Sequence, residues 1–317
     1  MYQTENTSLC KLTTMRVGGF ADMLFVPHTP EEFVSLVVQL TEEGIPWSVL
    51  GGGSNTLVSS KGVRGAVIST AGLDWITRSS RDSIIAGAGT RLPKLAGQVA
   101  QMGLSGCEFL EGIPGTVGGA VVMNAGAHGH ATANILEKVT VFDLVRMEIE
   151  VLTGSQLEFG YRCSNLHPSR YLVLEAKFRL NDGMPDQILD RMKQYSRQRA
   201  ASQPKGFSSG CIFRNPPCSL TPAGRLIDEL GMKGYRLGGA EVSVIHANFI
   251  LNSQGASSDQ IIALILKIQQ KVWAVRRIWL QPEVWPLGEF SQEENLIWLR
   301  PEEREDLEII EGNEAAA

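Results

Sequence analysis

The chain has 317 residues, of which 43% are hydrophobic and 20% charged, ordinary values for a globular protein of two or three domains. No uninterrupted apolar run reaches the roughly 18 to 20 residues that span a bilayer. The first residues, MYQTENTSLCKLTTMRVGG, contain no apolar core of a signal peptide. The composition therefore argues against a membrane protein, and we expect a cytoplasmic one.

The net charge of −5 is unevenly distributed along the chain. Residues 289–317 carry ten acidic and two basic side chains, so that residues 1–288 sum to +3. We expect the acidic end to be a solvated tail with one apolar anchor, LIWL at Leu296–Leu299. The mildly basic remainder suits an anionic small molecule. Because no stripe of Lys and Arg alternates with aromatic residues, nucleic acid is not an expected partner.

Five cysteines are present without a CxxC pair or zinc-site spacing, which argues against a metal site. Their odd number in a reducing compartment also argues against a disulfide framework. Buried packing is the ordinary role of such residues. Cys211 needs separate treatment because Ser208, Ser209 and Gly210 free the backbone just before it. Taken alone it is a packing residue, a metal or disulfide residue, or a thiol that moves a proton.

The first third of the chain alternates helices with short apolar strands. Thr29 is a helix cap followed by Pro30 and Glu32, and Gly44 ends the helix. One face of this helix is apolar and comprises Phe33, Leu36, Val37 and Leu40. A buried strand, 47–50, then leads directly into GGGSN at 51–55.

The middle third is rich in strands, expected at 83–89, 138–144, 147–152 and 171–180. Between the first two of these, GIPGTVGGAVVMNAGAHG at 112–129 holds six glycines, too many for a helix or a plain strand. A polar helix follows at about 186–200, and the composition changes near 183–205. The last third predicts a helix from about Pro222 to Gly231, a strand at 247–251 and a long helix at 258–276.

Two glycine-rich loops are candidates for phosphate binding. VLGGGSNTLVSS at 49–60 follows a strand and allows consecutive backbone N–H groups to point into one concavity. It is neither a GxxxxGK[ST] loop nor a GxGxxG helix opening. A tight hairpin corner is the structural alternative for three glycines alone. The second loop, 112–129, favours binding, because two such loops suit an extended dinucleotide, and NAGA at 124–127 suits a flat ring.

The ordered motifs resemble one family of flavoenzymes. They are TTMRVGGFADMLFVP at 13–27, LGGGSN at 50–55, the 112–129 loop, YRCS at 161–164, GCIFRNP at 210–216, AGRLIDELGMKG at 223–234 and PEV at 282–284. Together they resemble the UDP-N-acetylenolpyruvoylglucosamine reductase (MurB) family, from about Thr13 to Pro286. Each motif is weak alone, whereas seven in order are specific.

The resemblance implies an α+β fold in two parts. An FAD-binding domain of the PCMH or vanillyl-alcohol-oxidase type has lobes at 1–70 and 71–183, and a smaller α/β substrate-binding domain occupies 184–288. The acidic tail at 289–317 follows. The segment between YRCS and the last strand of the flavin domain is short, so the chain resembles the compact branch of the family, which lacks an inserted tyrosine-bearing lid.

The resemblance also implies an activity. NADPH reduces non-covalently bound FAD, which then transfers hydride to the enolpyruvyl ether of a UDP-sugar to give UDP-N-acetylmuramate for peptidoglycan synthesis. Hydride adds to the terminal carbon, so negative charge develops as an enolate on the adjacent carbon and its carboxylate. This charge requires a cation or acid near the carboxylate, and the carbon next to the carboxylate requires a proton donor. We expect a monomer whose partners are this UDP-sugar and NADPH, with no metal.

Three residues are expected to carry the chemistry. Arg162 matches a carboxylate with two parallel donors, although a lone arginine after a strand is ordinarily a surface ion pair. Glu283, between Pro282 and Val284, is either a stiffened turn residue or a carboxyl of raised pKa, and the family makes it the second group at the enolate. Cys211 stands where the family usually has a serine proton donor. A thiol is mostly protonated at neutral pH and can donate, but it is open to oxidation and alkylation.

The remaining site residues follow from the same motifs. The residues expected to bind the cofactor are Gly51, Gly52, Gly53, Ser54, Asn55, Gly112, Ile113, Pro114, Gly115, Thr116, Gly118, Gly119, Asn124, Gly126 and Ala127. Those expected to bind substrate are Tyr161, Arg214, Asn215, Arg225 and Lys233, of which Asn215 is the best candidate and the cations are otherwise surface charges. His246 and Asn248 are further candidates for the pocket, with a core histidine as the alternative.

Two other functions fit parts of the pattern. An FAD-dependent oxidase of the same fold would use oxygen as acceptor, and many such enzymes tether flavin through a histidine, for which His128 and His130 are the nearby candidates. A nucleotide-binding regulatory module would use the acidic tail to dock a partner. Release of flavin by acid tests the first, and bleaching of bound flavin by NADPH tests the second.

Overall fold

The computed structural model describes residues 1–300 and Glu303. The chain divides into two compact units, each assembled from separate stretches of sequence. Unit 1 comprises Met1–Thr7, Ala21–Ser54 and Arg64–Ser202. Unit 2 comprises Ser8–Phe20, Asn55–Val63 and the described residues from Gln203 onward.

The strands, in chain order, are β1 (Tyr2–Ser8), β2 (Phe20–Val26), β3 (Trp47–Leu50), β4 (Thr56–Val58), β5 (Val63–Ser69), β6 (Ile76–Arg78), β7 (Ser83–Gly87), β8 (Leu104–Ser105), β9 (Gly126–Ala127), β10 (His130–Ala131), β11 (Leu136–Asp143), β12 (Glu148–Thr153), β13 (Tyr171–Arg179), β14 (Asn181–Asp182), β15 (Arg236–Leu237), β16 (Ala240–Val242), β17 (Ile250–Asn252) and β18 (Trp285–Leu287). The α-helices are α1 (Pro30–Glu42), α2 (Leu92–Gln101), α3 (Val117–Val122), α4 (Pro185–Ser202), α5 (Ala223–Glu229), α6 (Ser258–Arg276) and α7 (Gln292–Asn295).

Unit 1 begins with a four-stranded sheet of order β1-β2-β5-β3, in which β3 and β5 run parallel. Helix α1 confirms the predicted capping pattern, because the Thr29 side chain accepts a hydrogen bond from the N–H of Glu32. Its predicted apolar face is fully buried in the core of this unit. Local capping and helical periodicity thus determine this element.

A second sheet of unit 1 has the order β12-β11-β13-β7-β6, with antiparallel neighbours throughout. Strands were predicted at four of these places. The helix α3 was not, because its glycines argued against a helix. It forms beside the end of β7, where the N–H of Gly118 donates to the carbonyl of Ala88 at 2.9 Å and an added Cβ on Gly118 would lie 3.1 Å from the Cβ of Ala88. Glycine therefore serves close packing here at some cost in helix propensity.

The boundary between the units differs from the one predicted at 183/184. Helix α4 belongs to unit 1, because Ile188 and Met192 enter its core and Arg191 Nη2 donates to Glu108 Oε1 at 2.7 Å. Burial acts to raise the pKa of Glu108, but bonds from Arg191, Ser105 and backbone N–H groups hold that pKa below its ordinary value. This ion pair ties α4 to unit 1.

Unit 2 is built around α6, whose bounds match the predicted helix. Its core includes Ile261, Leu264, Ile265, Ile268 and Val272. The three-stranded sheet β15-β16-β17 and the parallel pair β4 and β18 complete the unit. Within the described residues, no helix is long and apolar enough to cross a membrane, and no group of His, Cys, Asp or Glu side chains could hold a metal ion.

Candidate active site

The first glycine loop lies where two parallel strands of unit 1 end together. Leu50, the last residue of β3, pairs with Ser69, the last residue of β5. Gly51 and Thr70 therefore follow side by side, since the carboxyl ends of parallel strands meet at one sheet edge. Gly53 has a φ of +59°, a left-handed conformation that favours glycine.

The second glycine loop faces the first within unit 1. An added Cβ on Gly52 would lie 2.9 Å from the Cα of Gly115, and one on Gly51 would lie 3.0 Å from Oγ1 of Thr116. Gly115 is held by a hydrogen bond from the N–H of Leu92 to its carbonyl, 3.1 Å long, and has a φ of +134°. Two loops about 60 residues apart in sequence are thus brought together, and no side chain fits between them at these positions.

Two buried hydroxyl groups lie at this junction without a hydrogen-bond partner in the structure. They belong to Thr70 and Thr116, which are 6% and 3% exposed. Leaving a buried hydroxyl unpaired is costly, so a polar group is expected to bind there. Gly119 has room for a side chain: the nearest atom to an added Cβ is Oγ1 of Thr116, 3.8 Å away. Both features fit the phosphates of a dinucleotide such as FAD.

A third group of predicted residues lies together in the same unit. A tight turn, closed by a 3.0 Å bond from the N–H of Gly160 to the carbonyl of Cys163, holds Arg162 at a φ of +58°. Arg162 Nη1 donates to the carbonyl of Gly126 at 3.2 Å, and Asn124 Nδ2 donates to the carbonyl of Gly160 at 3.0 Å. The NAGA and YRCS motifs are therefore joined.

In unit 2 the structure brings the segments of Cys211 and Glu283 together. The N–H of Glu283 donates to the carbonyl of Ile212 at 2.7 Å, and the N–H of Arg214 donates to the carbonyl of Gln281 at 3.0 Å. Phe213 pairs with Pro282 as an isolated antiparallel bridge. Residues 211–214 and 281–283 thus form a short two-stranded pairing with half-buried Cys211 at one end.

Asn248 holds the other side of the Cys211 segment. Its side chain accepts from the N–H of Phe213 at 2.9 Å and donates to the carbonyl of Phe213 at 2.8 Å, so it acts as a substitute strand. The carbonyl of Asn248 also accepts from the N–H of Ile212 at 2.8 Å. Nearby His246 accepts from the N–H of Asn248, and burial lowers the pKa of its imidazole. The histidine is thus part of the packing around Asn248.

Comparison with known proteins places this geometry in a family. Residues 21–149 match an FAD-binding domain, and residues 203–286 match the C-terminal domain of UDP-N-acetylenolpyruvoylglucosamine reductase. A reductase of that name from Synechococcus sp. (strain JA-3-3Ab) is 44% identical over 285 residues, 89% of this chain and 90% of the relative. The chain belongs to the UDP-N-acetylenolpyruvoylglucosamine reductase family. The resemblance found from its motifs is confirmed.

Two further members of the family support this assignment. The reductase from Carboxydothermus hydrogenoformans is 40% identical over 90% of this chain and 94% of its own length. The crystal structure of the reductase from Thermus caldophilus matches with a TM-score of 0.76 and 38% identity, covering 90% of this chain and 98% of that one. The predicted order, an FAD-binding domain followed by a second domain, is likewise confirmed.

Some residues predicted from the family motifs have other contacts in this member. Asn55, expected at the cofactor, donates through Nδ2 to the carbonyl of Glu283 at 3.0 Å within unit 2. Gly112 lies against Arg199, whose Cδ would be 2.7 Å from an added Cβ. His128 and His130, the candidate flavin tethers of the alternative oxidase, stack on Tyr195 and Phe109, with ring centroids 4.1 and 5.8 Å apart.

The predicted substrate-binding residues differ in their surroundings. Arg225 and Lys233 are in ion pairs with Glu229 and Asp228, at 2.9 and 2.6 Å. Asn215 accepts from the N–H of Ala223 at 3.0 Å, next to the start of α5.

The other two predicted substrate-binding residues are Arg214 and Tyr161. Arg214 has a buried Nε without a hydrogen-bond partner in the structure. Tyr161 is 60% exposed and lies 5.6 Å from the Arg162 guanidinium. The buried Nε of Arg214 is therefore a donor that a bound ligand could satisfy.

Sequence reasoning missed two hydroxyl groups next to predicted site residues. Thr70 could have been found, since a parallel β3 and β5 would place the residue after β5 beside Gly51. Ser209 is 5% exposed with an unpartnered hydroxyl, two residues before Cys211. No local signal distinguishes it, because burial of a serine depends on the tertiary fold.

Proposed function

We propose that this chain catalyses the reaction for which its relatives are named. NADPH and UDP-N-acetylglucosamine enolpyruvate are the substrates, UDP-N-acetylmuramate is the product, and the setting is peptidoglycan precursor synthesis in the cytoplasm. The observation that carries the proposal is the pairing of the Cys211 and Glu283 segments through the 2.7 Å bond from Glu283 to Ile212. A thiol and a carboxyl on paired strands supply a proton donor and an acidic group, which this reduction requires.

The proposed cofactor is FAD, bound without a covalent link. Gly51–Ser54 and Gly115–Gly119 would hold its phosphates by backbone N–H groups, with the hydroxyls of Thr70 and Thr116 as further partners. Asn124, Gly126 and Ala127 would lie along its ring system. When bound, FAD supplies the electron transfer from NADPH to the sugar that protein side chains cannot perform.

Arg162 and Glu283 are proposed to stabilise the enolate that develops on the substrate. The guanidinium of Arg162 cannot lose its proton, so it would stay charged opposite the substrate carboxylate throughout the reaction. Its turn and its bond to the carbonyl of Gly126 fix its position beforehand, which favours the charged transition state over the ground state. Glu283, held through its backbone by Ile212 and Asn55, would stabilise the same charge.

Cys211 is proposed to give its thiol proton to the carbon next to the carboxylate. One S–H bond breaks and one C–H bond forms, and the enolate electron pair becomes that C–H bond. Solvent then returns a proton to the thiolate. Arg214 and Asn215, which lie next along the same segment, would bind the anionic substrate, with Tyr161, Arg225 and Lys233 as further candidates.

Replacing Cys211 tests the proposed proton transfer. Cys211→Ser should retain substantial activity, because a hydroxyl can still donate. Cys211→Ala should reduce the rate of product formation by about 100-fold to 10,000-fold, the usual range for a lost general acid. Flavin reduction by NADPH in a stopped-flow instrument should remain unchanged in both variants. Full sugar reduction by the alanine variant would contradict the role of Cys211.

A further inference from the structure

A short segment after the family domain binds the stretch that carries Glu283. The matched C-terminal domain ends at residue 286. Beyond it, residues 290–299 contain α7 and a single 3₁₀ turn, Leu296–Trp298, whose Ile297 is fully buried in the core of unit 2. We call residues 290–299 the brace. The sequence predicted only an apolar anchor here, whereas the structure shows a folded element.

Three side chains link the brace to residues 280–284 by hydrogen bonds. The indole Nε1 of Trp298 donates to the carbonyl of Val284 at 2.9 Å. Gln281 Nε2 donates to the carbonyl of Trp298 at 2.7 Å. Gln269 of α6, which is fully buried, donates through Nε2 to the carbonyls of both Leu280 and Ile297, at 2.9 and 2.8 Å.

These bonds act on the peptide groups on either side of Glu283. The carbonyl of Val284, the residue after Glu283, accepts the hydrogen bond from the rigid, partly buried indole ring of Trp298. Phe290 packs edge-to-face against the Trp298 ring, with ring centroids 5.3 Å apart, and so restricts its orientation. The start of the brace is fixed as well, because Glu294 accepts from Ser291 at 2.6 Å and forms an ion pair with Lys61 at 3.2 Å.

We propose that the brace, through Trp298, positions Glu283 for the reaction. This inference rests on the proposed function of Glu283. A carboxyl on an irregular segment must be held within a fraction of an ångström to act on a developing charge, and neighbouring backbone groups set its direction. Trp298 is thus a positioning residue that acts through Glu283, outside the domain that defines the family.

The test compares two tryptophan substitutions in the full-length, flavin-loaded protein. Trp298→Phe removes the indole N–H while keeping an aromatic ring next to Phe290. Trp47→Phe is the matched control, since it removes an indole N–H that donates to Thr41 Oγ1 at 3.0 Å in unit 1. Each is reduced anaerobically with NADPH and then mixed with the enolpyruvyl UDP-sugar.

Trp298→Phe should slow the reoxidation of flavin by the sugar by about 10-fold to 100-fold, the effect of a small displacement of a reacting group. Its rate of reduction by NADPH should stay within about twofold of wild type, and Trp47→Phe should change neither step. Sugar-dependent reoxidation at the wild-type rate would overturn the inference, as would an equal slowing of both steps.

The Glu283→Gln variant separates this inference from the proposed function. If Glu283→Gln is reoxidised at the wild-type rate, the role of Glu283 fails and the inference fails with it. If Glu283→Gln is slow while Trp298→Phe is not, only the inference fails. In the double variant with Glu283→Gln and Trp298→Phe, the second substitution should not slow flavin reoxidation further, because Trp298 acts through Glu283. Independent, multiplying losses would contradict the positioning role.

A second single variant provides the test if Trp298→Phe folds poorly. Gln281→Met removes the bond to the carbonyl of Trp298 from the other side, and it should give the same selective slowing of sugar-dependent reoxidation. If a well-folded Gln281→Met protein is reoxidised by the sugar at the wild-type rate, the brace does not position Glu283.

Discussion

Gly119→Ala separates what the fold requires from what the cofactor requires. In the described structure an added Cβ on Gly119 comes no closer than 3.8 Å to another residue, so the fold leaves room for alanine. Because Gly119 lies inside α3, alanine should stabilise the flavin-free protein by about 0.5 to 1 kcal/mol. Its unfolding midpoint should therefore rise by about 1 to 3 °C.

The same methyl group should weaken FAD binding. If a phosphate approaches the Cα of Gly119 closely, the methyl group displaces it by about 1 Å, and we expect the dissociation constant to rise about tenfold or more, equivalent to ~1.4 kcal/mol. Gly97→Ala is the matched control, since Gly97 lies inside α2 with no atom within 4 Å of an added Cβ. It should give the same thermal gain without a change in affinity.

The assay is thermal unfolding of the flavin-free protein, together with titration by FAD followed through quenching of flavin fluorescence. The account predicts that the two variants are equally stable and that only Gly119→Ala binds FAD weakly. If both variants bind FAD as tightly as wild type, the cofactor does not approach Gly119, and the reasoning from the open space there is refuted.

Two further predictions concern polar groups that hold the fold together. Asn248→Ala leaves the buried backbone N–H and carbonyl of Phe213 unpaired, so it should lower the unfolding free energy by about 1 to 3 kcal/mol in denaturant titrations and slow sugar-dependent reoxidation of the flavin. If both values stay unchanged, the Asn248 side chain does not hold the Cys211 segment. Since the pKa of Glu108 is lowered in the folded protein, its contribution to stability is complete above its unfolded pKa of about 4.3 and is lost as the pH falls through the folded pKa. In Glu108→Gln the unfolding free energy should therefore depend less on pH below about pH 5. If the midpoint of acid unfolding is unchanged, the Glu108 carboxylate does not contribute to stability in this way.

Helix ends were predictable where local signals decide them. The cap at Thr29 and the bounds of α6 follow from side chains within one turn, and the structure reproduces both. The glycines of the two loops were recognisable because the backbone conformations and close approaches they allow are nearly unique to glycine. The prediction of two phosphate-binding loops followed from that property alone.

The division of the chain was not predictable in the same way. Ser8–Phe20 and Asn55–Val63 join unit 2 although the sequence around them belongs to unit 1. Contacts between distant segments decide that membership, and no local pattern records them. The bond of Asn55 to the carbonyl of Glu283, 228 residues away, has the same origin.

Arg162 illustrates how far the site itself could be predicted. The resemblance to the family singled the residue out, but its left-handed backbone and its bond to Gly126 required the fold. Trp298 was seen only as part of an apolar anchor, because its indole N–H has a function only once Val284 lies beside it. Composition and periodicity thus locate candidate residues, whereas tertiary packing gives them partners.

The central claim is that this chain passes electrons from NADPH through FAD to an enolpyruvyl UDP-sugar. An anaerobic titration of the purified flavoprotein tests it most directly: NADPH is added until the flavin absorbance is bleached, and the UDP-sugar follows. The account predicts that the yellow colour returns without oxygen, in proportion to the sugar added. Flavin that stays bleached until air is admitted would contradict the claim and indicate an oxidase, and flavin that NADPH never bleaches would indicate a protein that only binds nucleotides.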